Sequence, residues 1–168
     1  MIQFLKVRDV KDPIRDVNEN AGIDFFIPEK SDDVVKEIKD FNQNIIIEDN
    51  NIIIPPHQDI LIPAGIKSKF DKDLALIAAN KSGVSTKNKL IFGAQVIDAS
   101  YQGEWHIHLI NWSDSAQTIS FGKKIIQFIP TVISNDEHTI DDLIFTTEDE
   151  FFTEKTNRGT DGFGSTGT

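Results

Sequence analysis

The chain contains no cysteine. That absence removes disulfide scaffolds, thiolate zinc sites, redox dithiols and every cysteine nucleophile, together with the cysteine-ligated zinc of the common nucleobase deaminases. Chemistry must therefore come from oxygen and nitrogen. No apolar run approaches the ~20 residues that a bilayer-spanning helix needs. The opening stretch, Met1 to Asp9, meets an arginine and an aspartate before an apolar run of signal-peptide length develops. A globular cytoplasmic protein with no membrane partner is expected. Positive charge is also scarce, with 17 Lys and Arg against 27 Asp and Glu and a formal net charge of −10. A duplex-binding surface would have to overcome that repulsion, so no nucleic-acid polymer is expected as a partner. A small polyanion remains open to it wherever a few cations, backbone N–H groups and a divalent metal converge.

At 168 residues the chain suits one domain with a real core. Short β-branched and aromatic runs recur at Ile2 to Val7, Ile45 to Ile47, Ile52 to Ile54, Ile60 to Ile62, Leu74 to Ala79, Trp105 to Trp112 and Ile125 to Ile133. Helical periodicity is rare, so the pattern predicts an all-β sandwich, jelly roll or barrel. Glu48-Asp49-Asn50-Asn51 separates two isoleucine triplets and predicts a hairpin, and Pro63-Ala64-Gly65 marks a second turn. One helix is predicted, from an N-cap at Ser31 to about Asn42. It has Asp32 and Asp33 at its positive end and Val34, Val35, Ile38 and Phe41 on one face.

Four of the ten glycines fall between Gly159 and Gly167. A tail so poor in apolar residues cannot build a core, and a frayed terminus is its plain reading. Its other reading is a nucleotide clamp. Glycines admit close approach to an anion, Gly164 stands beside the hydroxyls of Ser165 and Thr166, Arg158 offers a fork for phosphate, and Phe163 offers a ring face for a base. Asp98 ends the apolar run Val96-Ile97, where partial desolvation would raise its basicity; a general base and a turn-capping aspartate are both open. Tyr101 is the only tyrosine, with core packing as its alternative role. His106 and His108, at i and i+2, share one strand face, yet no third ligand stands at metal-binding spacing, so they are read as satisfied strand side chains.

Five segments in order resemble the motifs of the trimeric dUTPase family. They are Ala21-Gly22-Ile23-Asp24-Phe25, Lys81-Ser82-Gly83-Val84, the run from Gly93 to Glu104, Gly122-Lys123-Lys124-Ile125-Ile126-Gln127, and the tail. The resemblance implies a jelly-roll-like dUTPase fold over residues 1–157 with a flexible arm at 158–168, assembled as a homotrimer whose active sites are shared between subunits. It implies Mg²⁺-dependent hydrolysis of dUTP to dUMP and pyrophosphate, with Asp98 as the general base for water attack on the α-phosphorus. Tyr101 would pack under the deoxyribose and reject a 2′-hydroxyl. Main chain at Gln95, Val96, Ile97 and Asp98, with His106 on the return strand of the same hairpin, would read uracil. Lys81, Ser82, Gly83 and Gln127 would serve the phosphates, Arg158, Phe163, Gly164, Ser165 and Thr166 would close the site, and Asp24 would meet Mg²⁺ through water.

Two departures stand out: Lys81 replaces the family's arginine and lacks its bidentate fork, and Gln95 replaces a glycine. The stretch between Asp24 and Ser82 exceeds that of a compact member, so about 28–44, including the predicted helix, reads as a surface insertion. Two rival functions remain. One is a dCTP deaminase-like enzyme, whose catalytic glutamate would fall at His108; the other is a catalytically silent trimer with a binding or regulatory role.

Overall fold

Alternation along the strands sets which side chains meet in the interior. In β10 (His106–Asn111) the residues Ile107, Leu109 and Asn111 point inward while His106, His108 and Ile110 line the other face. The computed structural model describes residues 1–16 and 20–133. Within them twelve short strands and two helices follow one another, and every strand pair is antiparallel. The all-β expectation holds.

The largest sheet carries four strands in the order β2 (Ile23–Phe26), β12 (Lys124–Val132), β7 (Leu74–Ala79) and β9 (Val96–Asp98). A second joins β5 (Asp59–Pro63), β10 and β8 (Leu90–Phe92). The third joins β11 (Gln117–Ser120), β4 (Asn51–Ile54) and β3 (Ile46–Glu48), and β1 (Gln3–Lys6) pairs with β6 (Ile66–Lys69). The predicted hairpin is β3–β4, closed by Glu48 opposite Asn51, with Asp49 in the left-handed region at φ 50°. The turn at Gly65 also appears, at φ 71°.

Phe25, Trp105 and Phe128 join the faces of the core, with Trp105 5.1 Å from Phe25 and 5.0 Å from Phe128 between ring centres. Asn111 is fully buried, and its amide group donates to the carbonyls of Ile54, Pro55 and Ser115 at 2.8–3.0 Å while its oxygen accepts from Ser113. Such saturation is what a buried amide requires.

Helix α1 (Asp32–Phe41) lies where the sequence predicts it and seals Val34 and Ile38 completely, each worth roughly 1.5–3 kcal/mol of burial. Phe41, expected on the same face, is 55% exposed. Ser31 occupies the N-cap position, where its carbonyl accepts the Val35 N–H at 3.0 Å but its side chain caps no backbone N–H. Its hydroxyl instead serves the Asp33 carboxylate, which is held below the usual carboxylate range first by that bond. Asn42 ends the helix and donates from its side chain to the Asp59 carbonyl at 2.7 Å, tying α1 to β5.

A second helix, α2 (Ser82–Lys87), was not expected. Ser-Gly-Val-Ser-Thr-Lys has no apolar period, and the helix is built from local bonds of Ser85 to Lys81 and Asn88 to Val84. No helix among the described residues is long and apolar enough to cross a membrane.

Candidate active site

Asp24 of β2 sits opposite Gln127 of β12, which in turn sits opposite Ala79 of β7. A register shift in β12 between Lys124 and Ile126 buries Ile125 and Ile126 together and leaves Lys124 beside the acid. One Asp24 oxygen is bonded by Lys81 Nζ and the other by Lys124 Nζ at 2.8 Å. Burial pushes the Asp24 carboxyl up, but the hydrogen bonds from Lys124 and Lys81 outweigh it and hold the group below the usual range. Each Asp24 oxygen thus holds an ammonium, a pairing that the sequence did not announce for the residue expected to meet Mg²⁺ through water. Among the described residues no three Asp, Glu or His side chains gather to hold an ion. The described residues therefore do not fit a resident divalent cation, and no step below runs through one.

Lys81, Ser82, Gly83 and Gln127 come together around an open cavity of about 460 Å³ that also presents Lys87 and Lys123. On a chain of net charge −10 this is a local concentration of cations. Among the described residues nothing would touch a Cβ at Gly83, so their packing does not demand glycine there.

The other expected residues lie elsewhere. Asp98 ends β9 at the edge of the same sheet and is exposed, so the described residues do not supply the partial desolvation expected of it. It pairs with Ala75, four residues from Ala79 along β7, or about 13 Å. Val96 is 56% exposed and Ile97 packs on the core. The Gln95 carbonyl accepts the Ala78 N–H at 2.6 Å. Tyr101, 42% exposed, donates its hydroxyl to the Glu104 carbonyl at 2.8 Å and folds tightly over Gly103, where a Cβ would come within 2.4 Å of the Tyr101 oxygen. With Ala99, Gln102, Phe4, Lys67 and Lys69 it lines a separate groove of about 970 Å³.

His106 is not on the return strand of a hairpin with β9. β9 pairs with β7 through Val96–Ile77 and Ile97–Leu76, while β10 pairs with β5 and β8. Trp105, 1% exposed, draws the chain into the core between them. The His106 ring instead bonds Glu37 of α1 at 2.8 Å. Arg158, Phe163, Gly164, Ser165 and Thr166 lie outside the described residues.

Sequence reasoning missed Arg8. Its guanidinium, 16% exposed, grips Glu104 with two bonds of 2.7 and 2.9 Å and reaches Asp33 at 2.5 Å and Glu37 on α1. The Glu104 hydrogen bond is the main cause that raises the Arg8 pKa. Glu104 also accepts the Gly65 N–H at 2.8 Å. Arg8 and Glu104 stand 96 positions apart, and no local pattern announces such a pair.

Comparison with known proteins identifies the family. The family model for dUTPase matches residues 46–167, a span that begins just beyond α1 and leaves Asp24 outside. The chain is 34% identical over 125 residues to the deoxyuridine 5′-triphosphate nucleotidohydrolase of Shewanella denitrificans, covering 71% of this chain and 75% of that protein. In fold it is similar to the dUTPase of Staphylococcus bacteriophage 80alpha solved with dUPNHPP, at a TM-score of 0.72, 20% identity and coverage of 100% and 99%. It is also similar to a mutant dUTPase of phage phi11 of S. aureus in which a structural Mg(II) ion is coordinated, at a TM-score of 0.61, 18% identity and coverage of 85% and 98%. With the family model spanning most of the sequence and a relative 34% identical over 71% of the chain, this protein belongs to the dUTPase family.

Proposed function

We propose that this chain is a cytoplasmic dUTP diphosphatase that works as a homotrimer. The carrying observation is the separation of two half-sites in one chain. The cation-lined cavity at Lys81, Ser82 and Gln127 and the groove beside Tyr101 share no lining residue. A single nucleotide can use both when they belong to neighbouring subunits, an arrangement that a closed ring of identical chains supplies.

In this reading Lys81, Ser82, Gly83 and Gln127 receive the triphosphate, with Lys87 and Lys123 adding charge. Asp24 keeps Lys81 and Lys124 in place and lowers their mutual repulsion. Mg²⁺ belongs to the substrate, arriving on the phosphate oxygens, where it neutralises charge. Main chain from Gln95 to Asp98 reads uracil, and the Tyr101 ring, fixed by its bond to the Glu104 carbonyl, lies under the deoxyribose. Asp98 takes a proton from water as the water oxygen bonds to the α-phosphorus. The bond from that phosphorus to the bridging oxygen breaks, releasing dUMP and pyrophosphate. Enclosure by the partner and by residues 158–168 excludes bulk water from the exposed Asp98. A deaminase is disfavoured because both ring nitrogens of His108 are engaged, by Asp59 and by Ala94, where that chemistry needs a free carboxylate.

The test is pyrophosphate release from dUTP, dTTP, dCTP and UTP with Mg²⁺ present. Release from dUTP alone is expected. Ammonia from dCTP, or no turnover of any nucleotide, overturns the proposal.

A further inference from the structure

The loop entering β9 is held by a side chain with no role in the reading above. His108 lies opposite Leu61 in β10. Its Nδ1 accepts the Ala94 N–H at 3.0 Å, and its Nε2 is 2.8 Å from Asp59 Oδ2. An amide N–H can only donate, so Nδ1 carries no proton, and the neutral ring must then place its hydrogen on Nε2, where it donates to Asp59. The two partners dictate the tautomer.

The loop is also pressed against the ring. A Cβ at Gly93 would stand 2.0 Å from His108 Nδ1, so only glycine fits there. The Gly93 N–H donates to the His108 carbonyl at 3.1 Å, and one residue beyond Ala94 the Gln95 carbonyl is caught by Ala78. β9 begins at Val96 and ends at Asp98. The ring therefore grips the chain just upstream of the residues that read the base and carry the carboxylate. His106, on the same face, is occupied by Glu37 instead.

We propose that His108 is a positioning residue for dUTP hydrolysis: through its Nδ1 bond to Ala94 it sets the main chain from Gln95 to Asp98. This rests on the function proposed above. It also accounts for glutamine at position 95, since Gly93, beneath the ring, supplies the close approach that the loop needs.

Two substitutions of similar size separate the two bonds. His108→Asn keeps an acceptor at about the depth of Nδ1 and gives up Asp59. His108→Gln sets its amide at the depth of Nε2, keeps Asp59 and leaves Ala94 without an acceptor. Steady-state kcat and KM for dUTP and dCTP would be measured beside Tm. His108→Gln should lose about 10- to 100-fold in kcat/KM for dUTP, the scale of an ångström-sized misplacement, and narrow the preference for dUTP over dCTP. His108→Asn should stay within a few-fold of wild type in both.

Equal losses in the two variants, or losses that follow Tm with the base preference intact, overturn the proposal. Nitrogen NMR of the wild-type ring is independent of turnover and of whether His108→Gln folds. A bare Nδ1 and a protonated Nε2 are expected, and the opposite tautomer overturns the assignment. A wild type that does not hydrolyse dUTP, with the expected tautomer present, refutes the function and leaves the His108 geometry standing.

Discussion

Asp24 and Asp98 both belong to strands of one sheet, yet Asp24 is 3% exposed with an ammonium on each oxygen and Asp98 lies in solvent at a free edge. The same side chain thus serves opposite ends. Where the chain supplies both charges itself, the carboxylate is locked and its proton affinity lowered. Where the described residues supply no partner, the carboxylate stays available for a water molecule. One end of the site is finished within the subunit, and in the proposed trimer the other is left open for a neighbour.

The sharpest way to break this contrast is Asp98→Asn. It should lower kcat by roughly 10² to 10⁴ while leaving Tm near wild type, because an exposed edge residue contributes little to the core. Near-normal turnover would remove Asp98 from the chemistry. Mixing that variant with Ser82→Ala tests whether the halves meet between chains. Refolded together in equal amounts, two poorly active proteins should recover up to about a quarter of wild-type turnover if sites are shared. No recovery, with mixed trimers present by native mass, would place the whole site in one subunit.

Tyr101→Ala should shift the dUTP over UTP ratio of kcat/KM by about 1–3 kcal/mol. An unchanged ratio would mean that the sugar is read elsewhere. The smallest effect is on the finished end. Asp24→Asn leaves two lysines facing each other with one neutral acceptor and should cost about 1–3 kcal/mol in denaturant unfolding.

That stability has a pH signature. The folded carboxyl lies below its ordinary value, so the contribution is fully present above that value and fades as acid drives pH through the folded pKa. The gap between wild type and Asp24→Asn should close on acidification below the usual carboxylate range. A gap that persists there would give it another origin.

Much of this was legible along the chain. Isoleucine triplets around Asp49-Asn50 fixed a hairpin because their register and turn chemistry are local, and Val34 and Ile38 marked the buried face of α1 for the same reason. Lys81, Ser82, Gly83 and Gln127 meet as the motif order implies. What could not be read is non-local. Strand β9 pairs with β7 and not with its sequence neighbour β10, and Arg8 meets Glu104 from the far end of the chain. Helix α2 stayed hidden because six polar and small residues carry no periodic signature.

Arg8 also bears on how this protein can be altered. Two of the three carboxylates that it holds, Asp33 and Glu37, come from helix α1, and the third, Glu104, adjoins the turn that seats Tyr101. An engineer who trimmed residues 28–44 to reach a shorter scaffold would not be removing ornament. The cut would strip the guanidinium of two of its three counter-ions, expose the ring of His106 and open the interior that Val34 and Ile38 now fill. A graft in the other direction would travel only as a cassette, with helix, arginine and glutamate moved together.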